Sequence, residues 1–209
     1  MKKAFLLILF YCVTQTVFCQ GTYIVALEKA YNEFKNDIAK ENADVKEAGK
    51  KAIKNLNKAD KPYKKHGWCN TSYYKALVYE RVGEYDEALN ELDGCAPGPY
   101  RHDEREERNV LKAQVLVIQN KFAPAIEAYQ IAQIAYDMQS HKFISMYRYA
   151  GELEKLYANM NDYENALKYN YLKDSSYGIK KTLSEFYHKK LAEKNIPVKW
   201  EALFNDAQE

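Results

Sequence analysis

The sequence is short of the residues on which several classes of protein depend. Of 209 residues only 8 are glycine and 5 proline, which excludes collagen-like, low-complexity and linker-dominated chains. None of the glycines falls in a GxSxG, GxGxxG or GxxxxGK pattern. A nucleophile elbow, a dinucleotide fold and a phosphate loop each need such glycines, so none of these is expected. The four histidines, His66, His102, His141 and His188, are widely spaced and form no HxxxH or HExxH pair. With only four cysteines and no CxxC, neither a structural zinc site nor a dithiol redox centre is expected. No catalytic residue, cofactor or metal is therefore assigned. His102, Asp103 and Glu104 stand at an expected helix start, where acidic side chains complement the helix dipole.

Long apolar runs are also lacking. The longest, Ala4 to Val13, is about half of the ~20 residues that cross a bilayer. It follows Lys2 and Lys3 and precedes a polar stretch ending in small Cys19, the pattern of a secretory signal peptide over residues 1–19. Cleavage after Cys19, with Val17 as the other pocket residue, leaves Gln20 first. A lipid anchor on Cys19 is the alternative, against which bulky Phe18 stands. Without the two leader lysines the formal net charge falls from +2 to zero, so nucleic acid is not an expected partner. The expected location is periplasmic or secreted, with peripheral or lipid-anchored association left open and no membrane span.

What the chain has instead is a period. AIKNLNKA from Ala52, ALNELDGC from Ala88, AIEAYQIA from Ala125 and ALKYNYLK from Ala166 share one pattern of small and apolar positions. They recur at intervals in the thirties to low forties, the length of a helical hairpin. Before three of them lies a matching first helix and turn. Ala76, Tyr79, Gly83, Tyr85 and Ala88 recur as Ala113, Leu116, Asn120, Phe122 and Ala125, and again as Leu153, Tyr157, Asn161, Tyr163 and Ala166. Through these residues, over about 36–173, the chain resembles the tetratricopeptide repeat family. The resemblance implies an all-α fold, an α-solenoid of about three stacked hairpins plus caps. It departs from the pattern at Glu154, where a small residue is expected, and at Asn170 and Lys173, which replace apolar and small residues.

The expected organisation is a leader (1–19), capping helices and a degenerate repeat (20–66), the repeats (67–176), and a capping helix with a short tail (177–209). Ile24, Leu27, Ala30, Tyr31 and Phe34 supply the N-terminal seal, and Leu183, Phe186, Tyr187 and Leu191 the C-terminal one. NDYENALKYNYLKDSSYG resembles the final repeat of the ectodomains of bacterial membrane sensors, but here Trp200 and Phe204 follow rather than a span.

The family's concave groove is lined by the first helix of each hairpin. At the matching positions stand Tyr73, Leu77, Glu80 and Arg81, then Val110, Gln114 and Val117, then Arg148 and Lys155. The first set follows i, i+4, i+7, i+8 and so makes one stripe. Aromatic, aliphatic and arginine residues suit the anchoring of a protein or peptide, and the expected function is an exported scaffold or adaptor. Packing against neighbouring helices explains Tyr73, Leu77 and Val110 equally well. A small-molecule or glycan binder that uses some of the 19 tyrosines is the alternative. In a hairpin turning at Gly83, Cys69 and Cys95 fall at the same open end, and in an oxidising compartment a disulfide between them is expected. Otherwise Cys95 is simply the small residue the repeat wants. Lys50, Lys54 and Lys58 share a face that reads as solvated, or as a patch for an anionic surface or acidic protein. Asn70-Thr71-Ser72 matches a glycosylation sequon.

Overall fold

The computed structural model describes residues 21–64, 69–94, 102–140, 148–174 and 181–194, with the side chains of 102–103, 139–140, 174 and 181–185, Leu183 among them, left aside. The leader, His66, Cys95, His141, Trp200 and Phe204 lie outside these residues. The described residues form helices and turns, with no strand among them, so the expected all-α fold of paired helices is what is found. The chain divides into two compact units, Met1–Pro99 and Tyr100–Glu209. The first holds α1 (21–38), α2 (Val45–Asp60), α3 (Asn70–Val82) and α4 (Tyr85–Asp93). The second holds α5 (His102–Ile118), α6 (Phe122–Ser140), α7 (Ala150–Asn159), α8 (Tyr163–Asp174) and α9 (Lys181–Glu193). Within each unit helices pack on their neighbours along the chain.

Three hairpins, α3–α4, α5–α6 and α7–α8, turn by the same device. Gly83, Asn120 and Asn161 each adopt a positive φ, of 82°, 57° and 59°, the left-handed region that glycine and asparagine tolerate best. Each donates its amide three residues back, and the following residue reaches five back: Glu84 N–H to the Tyr79 carbonyl, Lys121 to Leu116 and Asp162 to Tyr157, at 2.8–2.9 Å. This double closure satisfies carbonyls that the helix end would leave open. The next helix then starts in the same way, with the Ala88, Ala125 and Ala166 amides donating to the carbonyls of Glu84, Lys121 and Asp162. All three alanines are fully buried. Pro124 falls in the first turn of α6, where its missing N–H has no helical acceptor to lose.

In the first unit Tyr23, Leu27, Ala30 and Phe34 of α1 pack on Ala52 and Leu56 of α2 and Val78 of α3. The seal is thus centred on Tyr23, which stands outside the expected set, while Ile24 and Tyr31 of that set are half-buried. In the second unit Tyr187 and Leu191 of α9 close over Ala166 and Leu167 of α8. Phe186, expected to share in that seal, is 45% exposed: one residue from Tyr187, it is turned by about 100° and reaches only the rim.

Polar residues join the same helices. The Tyr23 hydroxyl of α1 donates to Asp60 Oδ1 of α2 at 2.9 Å, and the Thr71 hydroxyl of α3 donates to the same oxygen at 2.7 Å. Tyr149 donates to Glu106 of α5, which Arg148 also approaches at 3.3 Å. Tyr187 of α9 donates to Glu154 of α7 at 3.0 Å. The partners in the three tyrosine–carboxylate bonds are 37, 43 and 33 residues apart, about one repeat. The Tyr149 and Tyr187 bonds each tie a hairpin to the element that follows it, whereas the Tyr23 bond joins α1 to α2, to which Thr71 adds α3.

These bonds mark the tyrosines in a titration. Burial, with the Asp60 charge and hydrogen bond against the opposing Thr71 bond, pushes Tyr23 up to about 12. Burial, then Glu106 or Glu154, raises Tyr149 and Tyr187 as well. A folded value above the unfolded one gives stability that is complete below about pH 10 and is lost as pH rises through the folded value. Tyrosinate absorbance is expected to include a late stage well above the ordinary tyrosine range, from this set, in step with loss of helical dichroism. A single stage near 10 with helicity retained would overturn the assignment.

Candidate partner-binding surface

The expected surface residues fall on three helices and, for Arg148, on the turn before α7. On α3, Tyr73, Leu77 and Glu80 are half-buried and Arg81 is exposed. They make one stripe, and the Arg81 guanidinium lies 3.5 Å from Glu80. Tyr73 meets Tyr74 edge-on with ring centroids 5.8 Å apart, and Tyr74 in turn meets Tyr31 of α1. The ring of Tyr73 is therefore braced from behind. On α5, Val110 and Val117 are half-buried with exposed Gln114 between them, and Lys155 of α7 is exposed.

Arg148 is committed within its own unit. Its guanidinium pairs with Glu106 and lies 5.0 Å and 5.9 Å from the ring centroids of Tyr136 and Tyr149. It staples the start of α7 to α5 and α6 as well as offering a cation. Sequence position alone does not separate these two uses of an arginine.

The tyrosines read as a stacking surface are largely engaged in joining helices. Tyr129 lies against Tyr149, Tyr157 stacks on Tyr169 at 5.5 Å and 10°, and Tyr163 meets Phe186 and Tyr187. Gln130 of α6 donates to the Tyr157 hydroxyl at 3.4 Å. The hydroxyl of Thr71 in the sequon serves Asp60 and Tyr23 and is buried. Cys69, just before α3, is buried and disulfide-bonded, and its expected partner Cys95 lies outside the described residues. Among the described residues no cluster of three His, Cys, Asp or Glu side chains could hold a metal. Tyr171 and His188 approach to 3.4 Å.

A concavity that the sequence reading missed opens between α2 and α3. About 290 Å³ in volume, it is lined by Lys46, Gly49, Lys50 and Ile53 of α2, by Val78, Tyr79 and Val82 of α3, and by Glu84. A methyl group placed on Gly49 would meet Val82 Cγ1 at 2.6 Å. Glycine is thus what lets these helices approach while leaving the lining open. A glycine inside a helix costs about 1 kcal/mol relative to alanine, so Gly49 amid lysines was the available signal. Lys50 also borders a charged concavity of about 670 Å³ at the α1–α2 corner. There Lys40 and Lys51 hydrogen-bond Asp37 at 2.6 and 2.7 Å and hold its carboxyl down at about 2.

No protein-family model, curated protein or solved structure matches the chain. Among the described residues no helix is long and apolar enough to cross a membrane.

Proposed function

We propose that this chain is an exported binding module of tetratricopeptide-repeat type, a scaffold or adaptor that holds a protein or peptide partner on the first helices of its hairpins. The observation that carries the reading is the α3 stripe. Tyr73 and Leu77 present braced apolar surface beside the exposed guanidinium of Arg81, in a hairpin held by its own core. Such anchors dominate peptide recognition. Val110, Gln114, Val117 and Lys155 offer the corresponding positions of the later hairpins, and Arg148 contributes from its staple. Disulfide-bonded Cys69 supports pairing with Cys95, a lock on the α3–α4 hairpin suited to an oxidising compartment.

Cross-linking in intact cells, followed by mass spectrometry of what is captured, tests the reading. One dominant protein is expected, with capture by Arg81→Glu reduced roughly thirtyfold, as for loss of a 2 kcal/mol anchor. No captured protein, or equal capture by the variant, would overturn it.

A further inference from the structure

We infer that the α2–α3 cleft is a second docking site, one that takes an acidic peptide segment through a single large apolar side chain. The inference shares with the proposed function the premise of a binding module but uses a different face. At ~100° per residue, Val82 lies on the far side of α3 from Tyr73.

Shape and lining specify the anchor. The cleft, of about 290 Å³, is at the small end of the ~300–1,000 Å³ range of ligand sites, a size for one aromatic or large aliphatic side chain. Gly49, Ile53, Val78 and Val82 give it an apolar lining, and Tyr79 adds a ring. The Tyr79 phenol, neutral at physiological pH as tyrosines are, is raised further by burial and by the carboxylates of Glu91, Glu84 and Glu87.

Charge specifies what surrounds the anchor. Lys46 and Lys50 stand on the α2 side of the cleft, and the exposed lysines continue along α2 through Lys54 and Lys58. Lys40 and Lys51 share the single carboxylate of Asp37, and Lys50 has only an exposed, 3.7 Å approach to Glu47. Lys46 and Lys54 have no ion pair among the described residues. The α4 side carries Glu84, Asp86 and Glu87. Acidic residues flanking the anchor are therefore attracted along α2 and repelled from α4, which sets the direction of the segment. An anionic bilayer would use the lysines but leave the apolar concavity unfilled, so the cleft favours a peptide.

The probe is a short labelled peptide of glutamate and glycine with one central tryptophan, titrated into the purified protein by fluorescence anisotropy. Saturable binding is expected. It should weaken roughly tenfold or more when the tryptophan is replaced by alanine, or when Lys46→Glu and Lys50→Glu are combined in the protein. Both lysines are exposed, and an unchanged dichroism spectrum confirms that the double variant folds. Arg81→Glu should bind the probe normally, which separates this site from the α3 stripe. No binding, or equal binding of the alanine peptide, overturns the inference and leaves the cross-linking result standing. So does co-sedimentation with phosphatidylglycerol vesicles that the double variant loses while the peptide stays unbound, since that outcome assigns the lysines to a membrane surface.

Discussion

Glu154→Ala is expected to destabilise the second unit by about 3 kcal/mol, the usual loss when one member of a buried, hydrogen-bonded charge pair is removed. Glu154 is 3% exposed and sits where the repeat pattern calls for a small residue. Its carboxylate accepts from Asn170 Nδ2 at 3.0 Å, from Lys173 Nζ at 2.5 Å and from the Tyr187 hydroxyl at 3.0 Å. One side chain of α7 therefore gathers two from α8 and one from α9. Without it Lys173, about one-third exposed, can swing towards water, but Asn170 is 1% exposed and its Oδ1 already lacks a partner among the described residues. An amide stripped of its remaining bond there bears the full cost of desolvation. The decisive comparison replaces the whole set: Glu154→Ala, Asn170→Leu, Lys173→Ala and Tyr187→Phe together should return to within about 1 kcal/mol of the parent, since an apolar set removes the desolvation along with the attraction. Urea unfolding followed by dichroism reads both. A single variant as stable as the parent, or a quadruple variant less stable than the single, would show that the four do not act as a unit.

That network also shows what one sequence can and cannot disclose. The turns were legible because the signal is local: Gly83, Asn120 and Asn161 each stand a fixed distance before an alanine, and each takes the left-handed conformation. Glu154, Asn170 and Lys173 were equally visible, but as three separate departures from a pattern. Their common cause is a contact across 16 and 19 residues, completed by Tyr187 at 33, and no periodicity links such positions. Tyr187 itself read as an apolar residue, because pattern counts the ring and ignores the hydroxyl. The surface was legible in a different measure. The α3 stripe follows from spacing, whereas the ties of Arg148 to Glu106 and Tyr136 depend on how α5, α6 and α7 meet. The α2–α3 cleft depends on the missing Cβ of Gly49 and on where Val82 lies, and neither is a pattern.

Ala88→Asp should have the largest effect of any single change in the first unit, a loss of about 4 kcal/mol or more. Ala88 is 0% exposed, and α3 and α4 pack along the hairpin it belongs to. Its amide closes the first turn of α4 on the Glu84 carbonyl. A carboxylate there has two outcomes: it stays buried without a cation, at several kcal/mol, or it turns to water and pulls α4 off α3. Acidic residues elsewhere in the first turn of α4, Asp86 and Glu87, are exposed and complement the helix dipole, so burial rather than charge at a helix start is what makes position 88 intolerant. Ala88→Ser isolates the argument: it adds one polar atom that can bond the preceding turn, and it should cost no more than about 1 kcal/mol. Hydrogen exchange locates the damage. In Ala88→Asp the amides of α3 and α4 should lose protection while those of α5 and α6, in the other compact unit, keep theirs. Equal melting of Ala88→Asp and the parent would mean that position 88 is not the close approach on which this hairpin is built.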